Sequence, residues 1–291
     1  MFSTVLPKQD TNQFIFQGNI GSAASTDVIP WAVPNGVKAI RMMVIGGGSA
    51  GNHATLGTSG TTRVGGAGGN PGSITTVTFL RIMLPDILYL KCGTGGLGAT
   101  TSGGTGSVGT ASSISIDPAG LYVIAYAPGG TTAGTAGAAA AGPSNHPFSF
   151  SALAVNVPTN GFIGGGGGSA AGTSVPIGSQ YPLCGGAGGG GGTTANIYSA
   201  GGAITGTGWT IGVNIPGGTT LGGTGSAGAA GFISFRPFFA TGGSGGGGGV
   251  IPGAGGDGAP GCGGGGTGGG NSANPTRSGN GGPGLIILTC W

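Results

Sequence analysis

The chain contains no glutamate. Its acids are five aspartates, Asp10, Asp27, Asp86, Asp117 and Asp257, set against eight Lys plus Arg, and charged residues make up only 4% of the chain. A paired-carboxylate glycosidase would have to be assembled from two of those scattered aspartates. A nucleic-acid surface needs clustered Lys and Arg, and here the basic residues are strewn from Lys8 to Arg277. Histidine is as scarce. His53 lies in the polar stretch Gly51-Asn52-His53-Ala54-Thr55 and His146 in Ser144-Asn145-His146-Pro147. No Gly-x-Ser-x-Gly elbow is framed by a strand and a helix, so both histidines read as loop hydrogen-bonders rather than bases. Gly-Lys-Ser/Thr is absent, which excludes a P-loop. The four cysteines, Cys92, Cys184, Cys262 and Cys290, form no Cys-x-x-Cys pair. That spacing argues against zinc and for small buried thiols in a reduced protein. The reading is of no enzyme, with no catalytic residue, no metal and no cofactor.

Long apolar runs are missing too. The nearest, residues 79–90, is interrupted by Arg81, Pro85 and Asp86 and falls short of the ~20 residues a membrane span requires. No membrane insertion is expected. Met1-Phe2-Ser3-Thr4-Val5-Leu6-Pro7-Lys8 lacks the basic n-region and apolar core of a secretory signal, which predicts synthesis in the cytoplasm. Amphipathic helical periodicity is nowhere visible. Each interior Gly costs a helix about 1 kcal/mol and each Pro about 3 kcal/mol, and the chain has 78 Gly and 18 Pro.

What the chain has in abundance is glycine in runs. From Gly243 every third residue reads Gly243, Gly246, Gly249, Pro252, Gly255, Gly258, Gly261, Gly264, Thr267, Gly270. Three residues per turn is the period of a polyproline-II-type helix, which makes no hydrogen bonds to itself. Its N–H and C=O groups point sideways and need partners if buried. Such a tract either stays solvated as a flexible linker or packs beside others of its kind. Ordering each residue costs about 1–2 kcal/mol of backbone entropy, and a hydrogen bond returns about 0.5–1.5 kcal/mol net. Only a bundle with nearly every group paired can hold. Disordered chains are polar and charged, whereas this one is 37% hydrophobic, so the packed bundle is the favoured reading.

Between the glycine runs lie short strand-like stretches, near residues 13–17, 37–45, 73–80, 87–92, 112–116, 121–126, 232–239 and 285–290. Pro34-Asn35-Gly36 is turn chemistry. The closely spaced phenylalanines Phe232, Phe235, Phe238 and Phe239 read as a buried strand. Apolar, turn-rich inserts break the glycine runs at 143–158, 173–183, 195–216 and 232–239. Their aromatics either plug the bundle ends or form a binding surface, since rigid scaffolds commonly present binding residues on loops.

Trp31, then Val33-Pro34-Asn35-Gly36-Val37, then a strand running straight into Gly46-Gly47-Gly48, resembles the start of the glycine-rich domain found in many bacteriophage tail-fibre and other virion proteins. Further segments agree in order: 72–79, then Leu88-Tyr89-Leu90-Lys91-Cys92-Gly93-Thr94-Gly95-Gly96-Leu97-Gly98, then 112–116, and the closing 281–288 with the terminal aromatic Trp291. The resemblance spans about residues 14–291. The expected fold is all-β and irregular: a small antiparallel β-sheet or sandwich with packed polyglycine-II-type helices and little or no α-helix. One domain, 1–291, is expected, with N-terminal strands in 1–45 as an anchoring region, the bundle in 46–284 and a closing strand in 285–291. The resemblance implies a phage virion structural protein with other tail or capsid proteins as partners, as a homo-oligomer. A tail-fibre or spike tip would meet a host surface receptor, with Tyr181, Tyr198, Trp209, Phe148 and His146 as receptor-facing loop residues. The alternatives are a capsid or tail decoration protein that recognises nothing, and, less consistent with a missing secretory signal, a free ice-binding type of surface binder.

Overall fold

The computed structural model describes residues 12–21, 27–131, 157–159, 164–168, 170–177, 182–208, 212–221, 223–271 and 276–291. Apolar runs between glycines form the strands β1 (Asn12–Gln17), β2 (Ile29–Ala32), β3 (Ala39–Ile45), β4 (Ile74–Leu80), β5 (Ile87–Lys91), β6 (Ser112–Ser115) and β7 (Val123–Ala127). Shorter pieces follow: β8 (Val157–Thr159), β9 (Val175–Ile177), β10 (Ile204–Gly206), β11 (Asn214–Ile215), β12 (Thr220–Leu221), β13 (Thr224–Gly225), β14 (Ile233–Phe235), β15 (Phe238–Ala240), and finally β16 (Leu285–Cys290). No α-helix occurs among the described residues, and the one helical turn is a 3-10 turn at Arg81–Met83.

Two sheets make a sandwich. One is five-stranded, in the order β1-β16-β3-β4-β8, and the other four-stranded, β2-β5-β6-β7. All their pairings are antiparallel. The closing strand thus lies second from the edge, between the first and third strands. Alternation along the strands sends Ile40, Met42, Val44, Val77, Phe79, Ile286 and Leu288 from the first sheet against Trp31, Leu88, Leu90 and Ile114 of the second. Phe14 meets Trp31 edge-to-face, ring centroids 5.4 Å apart. Cys92 and Cys290, both on strand ends, lie in this same core. A smaller core, with Ile45, Ile74, Leu183, Cys262, Leu285 and Ile287, covers the outer face of the five-stranded sheet where it adjoins the bundle.

The phenylalanine-rich segment departs from the single strand expected of it. Arg236-Pro237 turns the chain, and β14 and β15 form a hairpin. Proline has no N–H for a ladder and favours turns. Phe239 is buried, but Phe232 and Phe235 are 43% and 46% exposed. Strand β2, not expected, contains Pro30; it is an edge strand, where a missing N–H is tolerated. Residues 34–36 do form the turn, with Gly36 at φ +81°.

The glycine tracts pack into a hydrogen-bonded bundle. Along 243–249, Gly243, Gly246 and Gly249 donate to the carbonyls of Gly263, Gly266 and Gly269; Ser244 and Gly247 donate to Ala229 and Ser226; Gly245 and Gly248 donate to Gly202 and Ser199, all at 2.9–3.1 Å. The carbonyls of the same tract accept from Ala187 and Gly190, from Gly256 and Gly253, and from Gly218. Donors therefore point to three neighbours in rotation, one per residue, which is the threefold screw of the polyglycine-II helix. Tract 263–269 repeats the pattern, donating in rotation to 184–190, to Ser49 and Asn52, and to Gly256 and Gly253. The C-terminal glycine run is not one long rod: it folds back at 250–252 and again at 259–261, where Gly261 takes φ +77°.

Candidate functional site

The bundle has two different ends. At one, strands feed directly into tracts: β3 into 46–52, β15 into 242–249, 65–72 into β4, and 279–284 into β16. At the other end the described tracts turn back in loops, at 53–63, 192–199, 223–224, 250–252 and 270–271. Polyglycine helices carry almost no side chains, so among the described residues the loops are where the bundle carries its polar side-chain groups.

The centre of that distal end is Arg63, only 1% exposed. Its backbone is bonded in both directions to Gly192, Arg63 N to Gly192 O at 2.8 Å and Gly192 N to Arg63 O at 2.9 Å. Its Nη2 donates to Thr193 O at 2.6 Å and Asn196 Oδ1 at 2.9 Å. Its Nη1 donates to Tyr198 Oη at 3.2 Å and to Asn271 Oδ1. The guanidinium carbon stands 5.0 Å from the Tyr198 ring centre, a cation–π distance. Among the described residues no carboxylate pairs with it; the ion pairs there are Arg81–Asp86 and Arg277–Asp257. The planar fork suits four separate acceptors as a lysine would not. One side chain thereby ties the 193–198 loop to 271, and Asn196 Nδ2 extends the tie to Ser59 Oγ at 2.9 Å.

On the same end stand exposed apolar side chains. Ile197 is 64% exposed, Leu221 76%, Val250 45% and Ile251 41%. Gly223 O accepts from Val250 N and Thr224 bridges to Ile251, so the β12–β13 hairpin is fastened to the same end. The arrangement places exposed apolar side chains beside amides and hydroxyls. His53 lies on this half of the bundle and is buried, with Nδ1 at 2.8 Å from Ala54 O and Nε2 at 2.9 Å from Thr276 O. Each ring nitrogen faces a backbone carbonyl, and a neutral imidazole donates to one of the two. A separate groove of about 170 Å³ lies between the β14–β15 hairpin and the outer face of the five-stranded sheet, lined by Arg41, Met43, Phe235, Phe238 and Thr289 among others. Among the described residues no group of three or more His, Cys, Asp or Glu is placed to hold a metal.

All four cysteines are free and buried. Burial pushes the Cys92 thiol up to about 11 and the Cys184 thiol up to about 12. Cys262 is likewise raised by burial, and further by the neighbouring Cys184.

Of the aromatics singled out from sequence, Tyr198 is half-buried, its ring and hydroxyl both engaged by Arg63. Ile197 beside it is the exposed neighbour. Tyr181, Trp209, Phe148 and His146 lie outside the described residues. Arg63 was not anticipated. The signal for it was available: it is the only charged residue between Arg41 and Arg81, a lone cation inside a glycine tract.

Residues 23–291 match the family model of the glycine-rich domain. No curated protein is significantly similar to the chain.

Proposed function

We propose, from the premise that the chain belongs to the glycine-rich domain family, that it is a non-enzymatic structural protein of a bacteriophage virion, serving as a tail-fibre or spike tip in host attachment. The observation that carries this reading is the division of labour between the two ends. The sandwich end holds conventional strands with exposed Leu80, Ile82 and Leu121, suited to anchoring on other virion proteins. The opposite end presents Ile197, Leu221, Val250 and Ile251 around the Arg63 clamp. A body held by backbone hydrogen bonds, with few charges and little side-chain entropy to lose, suits a stiff particle component.

Cryo-electron microscopy of the intact particle tests the reading. The expected result is the sandwich end docked on the tail and the Ile197–Leu221 end pointing outward. Finding that end buried between other subunits overturns attachment and makes the chain a decoration or cement protein. Finding the chain absent from the particle overturns the virion assignment itself.

A further inference from the structure

We infer that strand β1 is the interface through which two copies of this chain pair, edge to edge, about a two-fold axis at Ile15. The inference goes beyond the proposed role in attachment and holds or fails independently of it.

Strand β1 is an edge strand of the five-stranded sheet and pairs with β16 alone. Trp291 and Ala39 exchange both backbone bonds, so in β16 the residues Leu285, Ile287 and Thr289 turn their polar groups toward β3, by the alternation of an antiparallel ladder. Residues Ile286 and Leu288 then face β1, opposite Phe16 and Phe14, and Gly284 accepts from Gly18 in the same phase. Gln13, Ile15 and Gln17 are therefore the residues whose N–H and C=O groups point off the sheet. Among the described residues none of these three has a backbone partner outside the strands.

Open edges are ordinarily blunted by proline, charge, shortness or a cover. The other edges of the sandwich follow that rule. β2 carries Pro30, and β8 is three residues long with Pro158 at its centre. The side of β7 is covered by β4, where Tyr126 O accepts from Thr75 Oγ1 at 2.6 Å and Pro128 O from Ser73 N at 3.0 Å. Among the described residues β1 has none of these devices. It is six residues long, without proline or charge.

Its sequence adds the second observation. Gln13-Phe14-Ile15-Phe16-Gln17 reads the same in both directions. A two-fold interface brings one surface against itself, residue i meeting j and j meeting i. An antiparallel pair centred on Ile15 sets Ile15 against Ile15, Gln13 against Gln17 and Phe14 against Phe16. The outward-facing backbone groups of residues 13, 15 and 17 fall opposite one another and close the ladder. Phe14 and Phe16, partly buried against the sandwich core, meet the other copy's pair, so two cores merge into one. Ile15, 49% exposed, meets its own image on the outer face, with the glutamine amides flanking it. The occupant that fits is a second copy of this chain.

The test is light scattering coupled to size exclusion on the purified full chain, with Ile15→Lys, Ile15→Glu and their mixture. The wild type is expected at twice the 27.0 kDa of one chain. Each single variant is expected at the single-chain mass, and the mixture back at twice that mass, because opposite charges then face each other at the axis. The double variant Gln13→Lys plus Gln17→Lys changes only exposed polar positions and reads the same interface should Ile15 variants fold poorly; it too is expected at the single-chain mass. A wild-type chain that elutes as a monomer overturns the proposal and leaves β1 for a different protein. An oligomer that survives both Ile15→Lys and the double variant overturns it as well.

Discussion

Gly245 and Gly188 lie so close that a methyl group on Gly245 would be driven into the Gly188 carbonyl oxygen. Neither residue adopts a left-handed φ. Glycine is required there for space, because Gly245 N donates to Gly202 O while its Cα faces a second backbone. Gly245→Ala is expected to destabilise the fold by about 3 kcal/mol or more, since a backbone oxygen inside the bundle cannot step aside. Gly166 is the control: the nearest atom to an added Cβ there is Thr173 Oγ1, 3.9 Å away. Gly166→Ala is expected to be neutral or to stabilise by about 0.4–1 kcal/mol through the unfolded chain. Urea unfolding of the two variants, side by side, decides whether close backbone approach is what the glycines provide.

Ser244 is the one residue with a side chain in the 243–249 tract, and it is fully buried. Its hydroxyl accepts from Ala229 N at 2.7 Å and donates to Pro216 O at 2.7 Å. Ser244→Ala removes the partner of that amide and carbonyl, both on solvent-exposed residues, for an expected loss of about 0.5–1.5 kcal/mol, the net worth of a hydrogen bond that water can partly replace. A melting temperature unchanged within error would mean that those groups find other partners.

Arg63→Met keeps most of the stem and removes the donors that hold Thr193, Asn196, Tyr198 and Asn271. The expected cost is about 3 kcal/mol, the scale for buried acceptors that lose a charged donor. Arg63→Lys should fall between, as an ammonium cannot reach four acceptors in a fork. Hydrogen exchange should show protection lost first in 193–198, ahead of the sandwich. Uniform loss over the whole chain would contradict the local clamp.

Alkaline pH should weaken the fold through the buried thiols. The Cys184 thiol sits at about 12 when folded against an ordinary 9.0, and Cys92 at about 11, both because burial disfavours the thiolate. The folded chain keeps these protons while the unfolded chain begins to release them near pH 9. Their contribution is therefore whole below pH 9 and is lost from about pH 9 up to about pH 11 for Cys92 and about pH 12 for Cys184, at about 1.4 kcal/mol per pH unit for each thiol within its window. Urea midpoints from pH 8 to 11 should fall less steeply for Cys184→Ala than for the wild type. Parallel slopes would refute the assignment to this thiol.

Ile197→Asp and Leu221→Asp alter side chains that are 64% and 76% exposed, so stability should move by less than about 0.5 kcal/mol. If the distal end contacts the host, particles carrying either change should adsorb more slowly to sensitive cells. Unaltered adsorption by both would set this surface aside.

Much of the architecture was legible from local chemistry. Apolar runs such as 13–17, 73–80 and 285–290 became strands within a residue or two, because alternation and glycine boundaries are local properties. The three-residue glycine spacing announced a helix with no internal bonds, and so a bundle. The strand reading failed at 232–239, where Arg236-Pro237 turns the chain into a hairpin and exposes Phe235. What the sequence by itself determined is the kind of body this is: sparsely charged, without α-helix in its described parts, its glycine segments stable only in company. What only the tertiary structure decided is who partners whom. Polyglycine helices have no side chains to encode register, so it is the sandwich that fixes where each tract starts. The convergence of Arg63, Thr193, Asn196, Tyr198 and Asn271 depends on tracts up to 208 residues apart in sequence ending at one level, which no local pattern records.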